Sequence, residues 1–418
     1  MPQLAETDKR KVTTESNKQD VNVMSRPLDG IRVLDLTRVL AGPFCTLQLA
    51  DMGAEVIKIE RPQFGDDTHF FGPFKNGESG YFIMLNRGKK GITLDFKKPK
   101  AVEIFKEMVK QADVVVENFK PGVMDNLGIG YEELKKVNPR IIYAAISGFG
   151  QHGPYWDRPG YDILAQAMGG LMSITGFPEN PPTRVGSSVG DLSAGMYGAL
   201  AIMMALFSRE RTGTGQLVDV ALMDSIFAFC ESNVVRYTMG GVIPGRVGSR
   251  HPLSAPFDIY QAQDGYVVIA VANEPLMAKL FTLMGKPELH RDPRFETDAK
   301  RSEHDQELKL IIEAWLADYT VDQAVAAMAA QGVPSSPVFT IPQVCADPHL
   351  AARDMLVEIE HPVAGKVLIP GNPMKLSATP ADVRGTAPTL GQHNEEVLAS
   401  LLGYDAQTVM DLAKNGVL

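Results

Sequence analysis

Residues 31–60, IRVLDLTRVLAGPFCTLQLADMGAEVIKIE, carry the pattern that decides the fold. IRVLDL is a short apolar, β-branched run, and TRVLAGP follows as a loop. PFCTLQLADMG predicts a helix with Pro43 in its first turn and Gly53 at its end. AEVIKIE is the next strand. The alternation then repeats. ITLDF precedes a helix at about 100–111 with Val102, Phe105, Met108 and Val109 on one face. DVVVENF, a short helix at YEELKKV, and RIIYAAISGFG follow. Buried strands alternating with amphipathic helices predict an α/β fold with a parallel sheet wrapped by helices.

Further on, 185–206 reads VGSSVGDLSAGMYGALAIMMAL, a loop of small residues leading into an apolar helix. GQLVDVAL is another strand, and SIFAFCESNVVRYTMG predicts one more helix. The composition then changes: GGVIPGRVGSRHPLSAP is rich in Gly and Pro and reads as a long ordered loop. FDIYQAQDGYVVIAVAN predicts a hairpin turning at Asp264 and Gly265. Helices follow to about 331, then a second hairpin around Ala364 and Gly365, and helices at NEEVLASLLG and AQTVMDLAKNG. The organisation expected is a tail at 1–26, a large α/β domain from 27–220 plus 335–418, and a smaller α+β domain inserted at 225–330.

The 418 residues carry a net charge of −9, with 44% hydrophobic and 22% charged residues. That balance excludes a global basic footprint for nucleic acid and is ordinary for a soluble protein. Cys45, Cys230 and Cys345 form no CxxC pair and suggest buried thiols in a reducing, cytoplasmic compartment. The first 26 residues are polar and of mixed charge, with no apolar core for a secretory signal. The apolar run 192–207 is interrupted by Gly195 and Gly198 and falls short of the roughly 18 residues of a membrane span. A core helix is expected there, and no membrane partner.

The strand–turn–helix–strand opening is Rossmann-like, but GxGxxG is missing, which argues against nicotinamide or flavin. There is no GxxxxGK[ST], no HExxH and no GxSxG, so phosphate-loop, zinc and serine-hydrolase readings have no support. Basic residues recur instead. Arg38, Arg61, Lys97 and Lys120 each follow a strand, at the edge where open α/β sheets bind ligands, and Arg87, Lys89 and Lys90 precede the third strand. A rim for a multiply phosphorylated adenine nucleotide and an ordinary solvated face are both compatible with this.

Asp191 stands before the apolar helix among Gly186, Ser187, Ser188, Gly190, Ser193 and Gly195. Asp is a preferred helix cap. The small neighbours would also let a large ligand approach, and the helix N-terminus would keep the carboxylate ionised as a nucleophile. One oxygen could cap while the other attacks.

The stretch PLDGIRVLDLTRVLAGPFCTLQLADMGAEVIKIERPQFGDDTH (27–69) resembles the opening of family III CoA-transferases. So do 116–154, VENFKPGVMDNLGIGYEELKKVNPRIIYAAISGFGQHGP, and PPTRVGSSVGDLSAG, RTGTGQLVDVALMDS and LGQHNEEVLASLLG. The resemblance runs from about 27 to the C-terminus. GRVGSRHPLSAPFDIYQAQDG looks most like the acetyl-CoA:oxalate and dicarboxylate branch.

The resemblance implies that Asp191 is a nucleophile that passes through an aspartyl-CoA thioester, with coenzyme A and acyl-CoA as substrates and no bound cofactor or metal. It implies CoA contacts from Arg38, Val39, Leu40, Ala41, Arg61, Leu94, Lys97, Asn118, Phe119, Lys120, Ser147, Gly148, Phe149 and Gly150. A relative has arginine where this chain has Asn126, so that contact loses its charge. Gly248, Arg250 and His251 are the implied acid-binding loop, Arg250 pairing with a free carboxylate or the loop simply being ordered by these side chains. An interlocked homodimer is also implied. A sister branch racemises 2-methylacyl-CoA with a histidine in GHD. Here the stretch is GYD, and Tyr161 is ill suited to exchanging an α-proton at neutral pH. That favours transfer of CoA over the alternative, a racemase or epimerase.

Overall fold

The computed structural model describes residues 26–383 and 385–418; the expected tail at 1–26 lies, but for Arg26, outside the described residues. Six strands form the main sheet: β1 (Arg32–Asp35), β2 (Glu55–Glu60), β3 (Lys90–Thr93), β4 (Val114–Glu117), β5 (Ile142–Ser147) and β6 (Leu217–Ala221). Their order is β3-β2-β1-β4-β5-β6, and every neighbouring pair is parallel. This is the doubly wound order with its switch point between β1 and β4.

Burial on both faces explains why the strands are mostly apolar, with polar residues chiefly at their ends. One core takes Val33, Val56, Val114 and Val116, with the helices α1 (Ala41–Asp51), α3 (Asp162–Met168) and α4 (Val189–Thr212). The other takes Leu34, Ile57, Ile92 and Val115, with α2 (Pro99–Val109) and the C-terminal helices Asn394–Leu402 and Ala406–Lys414. With both faces covered, few positions in the inner strands are polar; Lys58 in β2 is the exception that needs partners, and the edge strand β6 does alternate, with Asp219 exposed. The chain end is tied in as well: the Asp95 amide donates to the Val417 carbonyl at 2.9 Å, and Thr93 donates its backbone N–H to Asn394 at 2.8 Å.

Helix α4 runs for 24 residues, longer than the run expected from sequence. By length and composition it could cross a membrane, but half of its apolar window is packed inside the protein. Gly195 and Gly198 do not interrupt it. A Cβ on Gly195 would lie 2.7 Å from the Ala41 carbonyl, and one on Gly198 would lie 2.8 Å from Ile146. Their smallness serves the seating of α4 on α1 and β5.

The region 222–238 is two helices, Leu222–Phe229 and Glu231–Thr238, where one was expected. The break falls at Cys230, and Glu231 adopts a positive φ of 33°. The smaller sheet has its own apolar core, with Tyr260, Val267, Ile269, Phe281 and Phe295. Phe257–Gln261 and Tyr266–Ala270 form the expected hairpin. The third strand, Ser335–Pro337, lies past the boundary expected at 330, because it pairs with the open edge of Tyr266–Ala270. Cys45 and Cys230 are buried, but Cys345 is exposed, against the expectation for all three.

Candidate active site

The loop after β1 is shaped by charges sealed under the sheet edge. Asp35 accepts hydrogen bonds from Lys89 at 2.9 Å and from the hydroxyls of Thr37 and Thr46 at 2.5 and 2.6 Å. Burial alone would raise the Asp35 carboxyl, but Lys89, Lys58 and the hydroxyls hold it below its ordinary value. Lys58 donates to the Thr37 carbonyl and to Asp66, both at 2.9 Å. Asp66, held at about 2 by Lys58 and backbone amides against the effect of burial, accepts the N–H of Val39 at 3.0 Å. The Asn118 side chain bonds both the N–H and the carbonyl of Arg38, at 2.9 and 2.7 Å. These bonds hold Val39 at φ 66°, a left-handed conformation that a β-branched residue adopts only under constraint.

Two of the cavities that open beyond the carboxyl ends of the strands adjoin each other at Arg38. One, of about 300 Å³, lies at the switch point and is lined by Arg38, Arg61, Leu94, Lys97 and Phe119, with Glu60 and Asp95. The other, of about 200 Å³, is lined by Arg38, Val39, Leu40, Ala41, Asn118, Phe119, Lys120, Ser147, Gly148 and Asp191. Arg38 and Phe119 belong to both, so the two are adjacent, and the Arg38 guanidinium lies 5.8 Å from the Phe119 ring centre. Arg38 and Arg61 share a single carboxylate, Asp67, at 3.2 and 3.4 Å, and the same cavity is lined by Lys97 and by Glu60, Asp66 and Asp95.

Several expected residues lie elsewhere. Phe149 packs its ring against Tyr155 at 6.0 Å, and Gly150 donates its amide to Ser147 Oγ at 3.0 Å; neither lines the cavities. Asn126 ends a single exposed turn, Val123–Asn126; its neighbours Val123 and Leu127 line the first cavity instead. Arg87 and Lys89 are not rim residues: Arg87 is buried against Asp51 at 2.8 Å, and Lys89 holds Asp35. The 248–251 loop lines neither of the two cavities. Gly248 donates to the Gly176 carbonyl at 2.9 Å, and Arg250 pairs with Asp305 at 3.1 Å. His251 Nδ1 accepts the Leu253 amide at 3.2 Å.

Asp191 does not cap its helix. It is the third residue of α4, and the capping position, Ser188, makes no side-chain bond. The first-turn amide of Gly190 is taken instead by Asp162, at 2.8 Å, from the neighbouring helix α3. The helix terminus also fails to keep Asp191 ionised at low pH. Burial, and then the Asp162 charge, push its carboxyl up to about 7. Of the small residues around it, Ser193 is buried and Gly195 faces α1; only the 186–188 loop leaves open space, with nothing within 4 Å of a Cβ on Gly186.

Sequence reading missed three groups here. Lys58, fully buried in the apolar run EVIKIE, had a signal, since a lysine inside such a strand needs a partner. Asp162 and Arg158 had none, as nothing in their own segment points across to Asp191. Arg158 and Tyr161 line the Asp191 cavity on the side away from the first cavity, with the Arg158 guanidinium 4.0 Å over the Tyr155 ring. Among the described residues no group of three or more His, Cys, Asp and Glu is placed to hold a metal ion.

The family described as CoA-transferase family III matches residues 28–394. The chain belongs to that family. It is an enzyme of the CoA-transferase type, and its thioester substrates carry coenzyme A. It is 46% identical over 352 residues to the acetyl-CoA:oxalate CoA-transferase of Acetobacter aceti, covering 84% of this chain and 89% of that one. It is 43% identical over 380 residues to the succinyl-CoA–D-citramalate CoA-transferase of Chloroflexus aurantiacus, covering 90% and 94%. A CaiB/BaiF family protein from Brucella suis, solved by crystallography, superposes with a TM-score of 0.81 at 39% identity, over 90% of this chain and all of that one. The α/β fold with its parallel sheet is thus that of the family.

Proposed function

We propose that the enzyme moves CoA from an acyl-CoA thioester to a free dicarboxylic acid through a thioester on Asp191. The observation that carries this is a carboxylate in a cavity that shares Arg38 and Phe119 with the cavity at the switch point, where Arg61 and Lys97 also stand. The nucleotide end of CoA would occupy the first cavity, with phosphates near Arg38, Arg61 and Lys97, and its sulfur end would reach Asp191. The dicarboxylate class is supported by the similarity to enzymes named for oxalate and citramalate.

The chemistry follows from an anionic nucleophile. An Asp191 oxygen attacks the thioester carbonyl, the C–S bond breaks, and CoA leaves as thiolate with a mixed anhydride behind it. The thiolate attacks Asp191 Cγ, expels the donor's acid as carboxylate, and forms aspartyl-CoA. The incoming carboxylate attacks Cγ and releases the thiolate again. That thiolate attacks the new acyl carbonyl, frees the product thioester and restores Asp191. Every nucleophile is an anion, so no proton is transferred. Shelter from water protects the anhydride.

Asp191→Ala is expected to lower transfer by on the order of 10⁴-fold or more, as removal of a covalent nucleophile does. Wild type mixed with acyl-CoA and hydroxylamine should carry a hydroxamate at Asp191 by peptide mass spectrometry. Normal transfer by Asp191→Ala would overturn the reading. The racemase alternative requires deuterium wash-in at the α-carbon of a 2-methylacyl-CoA, which is expected to be absent. We propose further that two chains associate, with the apolar face of α4 that carries exposed Met196, Leu200, Met204 and Phe207 as part of the contact.

A further inference from the structure

Helix α3 carries Asp162 and Gln166 one turn apart, on one face. Asp162 Oδ1 accepts the Gly190 amide at 2.8 Å, and its Oδ2 accepts Gln166 Nε2 at 2.7 Å. Gln166 Oε1 accepts the Val185 amide at 2.9 Å, and its Nε2 lies 3.4 Å from the Ser187 carbonyl. Gln166 is fully buried and Asp162 is 8% exposed. Every polar atom of this pair is spent on the other or on the segment 185–190, which leads directly into Asp191. A Cβ on Gly190 would sit 3.0 Å from Asp162 Oδ1, so glycine is what admits the carboxylate to the amide.

We propose that Asp162 and Gln166 are positioning residues that clamp the start of α4 and so aim Asp191 at the thioester carbonyl. The segment has no other anchor of this kind. Ser188 makes no side-chain cap, and the backbone bonds around it, Val189 to Ser187 and Leu192 to Ser188, are local. The proposal rests on Asp191 being the nucleophile. Reacting groups must be held within about an ångström, and a misplacement of that size costs on the order of 100-fold.

An exchange of acid and amide tests it. Asp162→Asn leaves an oxygen for Gly190, but its amide meets the Gln166 amide donor to donor. If Gln166 flips to relieve this, its donor meets the Val185 amide. Adding Gln166→Glu restores the two short bonds: the introduced asparagine donates to the introduced glutamate, whose other oxygen accepts from Val185, and only the long 3.4 Å contact to the Ser187 carbonyl is given up. Asp162→Asn is expected to lower kcat about 10- to 100-fold with KM for the thioester within about twofold. The double variant should recover to within about fivefold of wild type.

A second readout separates aiming from mere stability. The Asp162 charge from α3 acts on Asp191, the Tyr81 hydroxyl of helix 80–86 feels the Asp191 charge, and Arg38, Lys120 and Arg158 line the same cavity. Removing the Asp162 charge should move the acidic limb of the kcat profile to lower pH, while Gln166→Met should lower kcat and leave the limb in place. A wild-type kcat and limb in Asp162→Asn would overturn the clamp. So would failure of the double variant to recover beyond the single one, whatever their melting temperatures. Hydroxylamine trapping on wild type separates the two ideas: no adduct at Asp191 sinks the nucleophile, whereas a wild-type adduct with an inert clamp sinks only the positioning role.

Discussion

The two cavities of the candidate active site are built in different ways. The switch-point cavity is made from turns that directly follow β1, β2, β3 and β4, and its frame is a set of buried charges: Asp35, Lys58, Asp66 and Lys89. The Asp191 cavity gathers short pieces at 38–41, 118–121, 146–148 and 158–161, with Asp191 and Leu222, and Arg38, Lys120 and Arg158 stand on its walls. The start of α4 is nonetheless held by one carboxylate, Asp162, a glutamine and backbone groups rather than by ion pairs. The difference matches the proposed roles. Paired buried charges fix the turns rigidly, whereas a nucleophile that loses its charge to an acyl group and regains it each turnover is better positioned through its backbone than through an ion pair to its own carboxylate.

Breaking the first frame should have the largest effect in this comparison. Lys89→Met leaves Asp35 buried with its lysine gone, and removal of one partner from such a pair costs about 3–5 kcal/mol. The loss should appear as a lower urea midpoint at unchanged slope. A loss below about 1 kcal/mol would mean that the hydroxyls of Thr37 and Thr46 suffice, and the contrast between an ion-paired frame and one held by hydrogen bonds would lose its basis.

The second effect is a pH dependence confined to the other cavity. Asp191 attacks only as carboxylate, and burial raises its carboxyl to about 7. Raising the pH ionises it, so kcat should climb about tenfold per pH unit below 7 and level off above. KM for the thioester should change little across that limb, because the step that needs the carboxylate is attack and not binding. A flat kcat between pH 5 and 8 would show that the thioester restores the ordinary carboxylate range on binding.

This contrast also explains what could be read from the sequence. The strands were legible because most are dominated by apolar residues on both faces, and the basic residues Arg38, Arg61 and Lys97 after them lie where an open sheet binds ligands. Asp191 stood out as a carboxylate at a helix start. Its environment did not, because the cap comes from Asp162, 28 residues earlier and on another helix. Resemblance placed Arg250 and His251 in a substrate loop, yet the partner that occupies Arg250, Asp305, comes from a distant segment of the smaller domain. Pairings between distant segments follow from packing, and no spacing within one segment encodes them. The same holds for the break at Cys230, where the helical pattern continues across Glu231, a residue that turns left-handed.

The smallest effect expected is at Arg61, and it bears on whether the rim is functional or merely solvated. Its guanidinium is more than half exposed, and its bond to Asp67, at 3.4 Å, is weak and shared with Arg38. An exposed pair of this kind contributes about 0–1 kcal/mol to folding, so Arg61→Gln should leave stability within about 0.5 kcal/mol. As a phosphate partner it should matter more: KM for the thioester should rise about three- to tenfold at low salt with kcat unchanged. The difference from wild type should shrink as ionic strength rises, because an exposed cation acts over about 10 Å at 0.1 M salt. An unchanged KM at low salt would make the arginine part of an ordinary solvated face, and the nucleotide end of CoA would then have to lie against Arg38 and Lys97 alone.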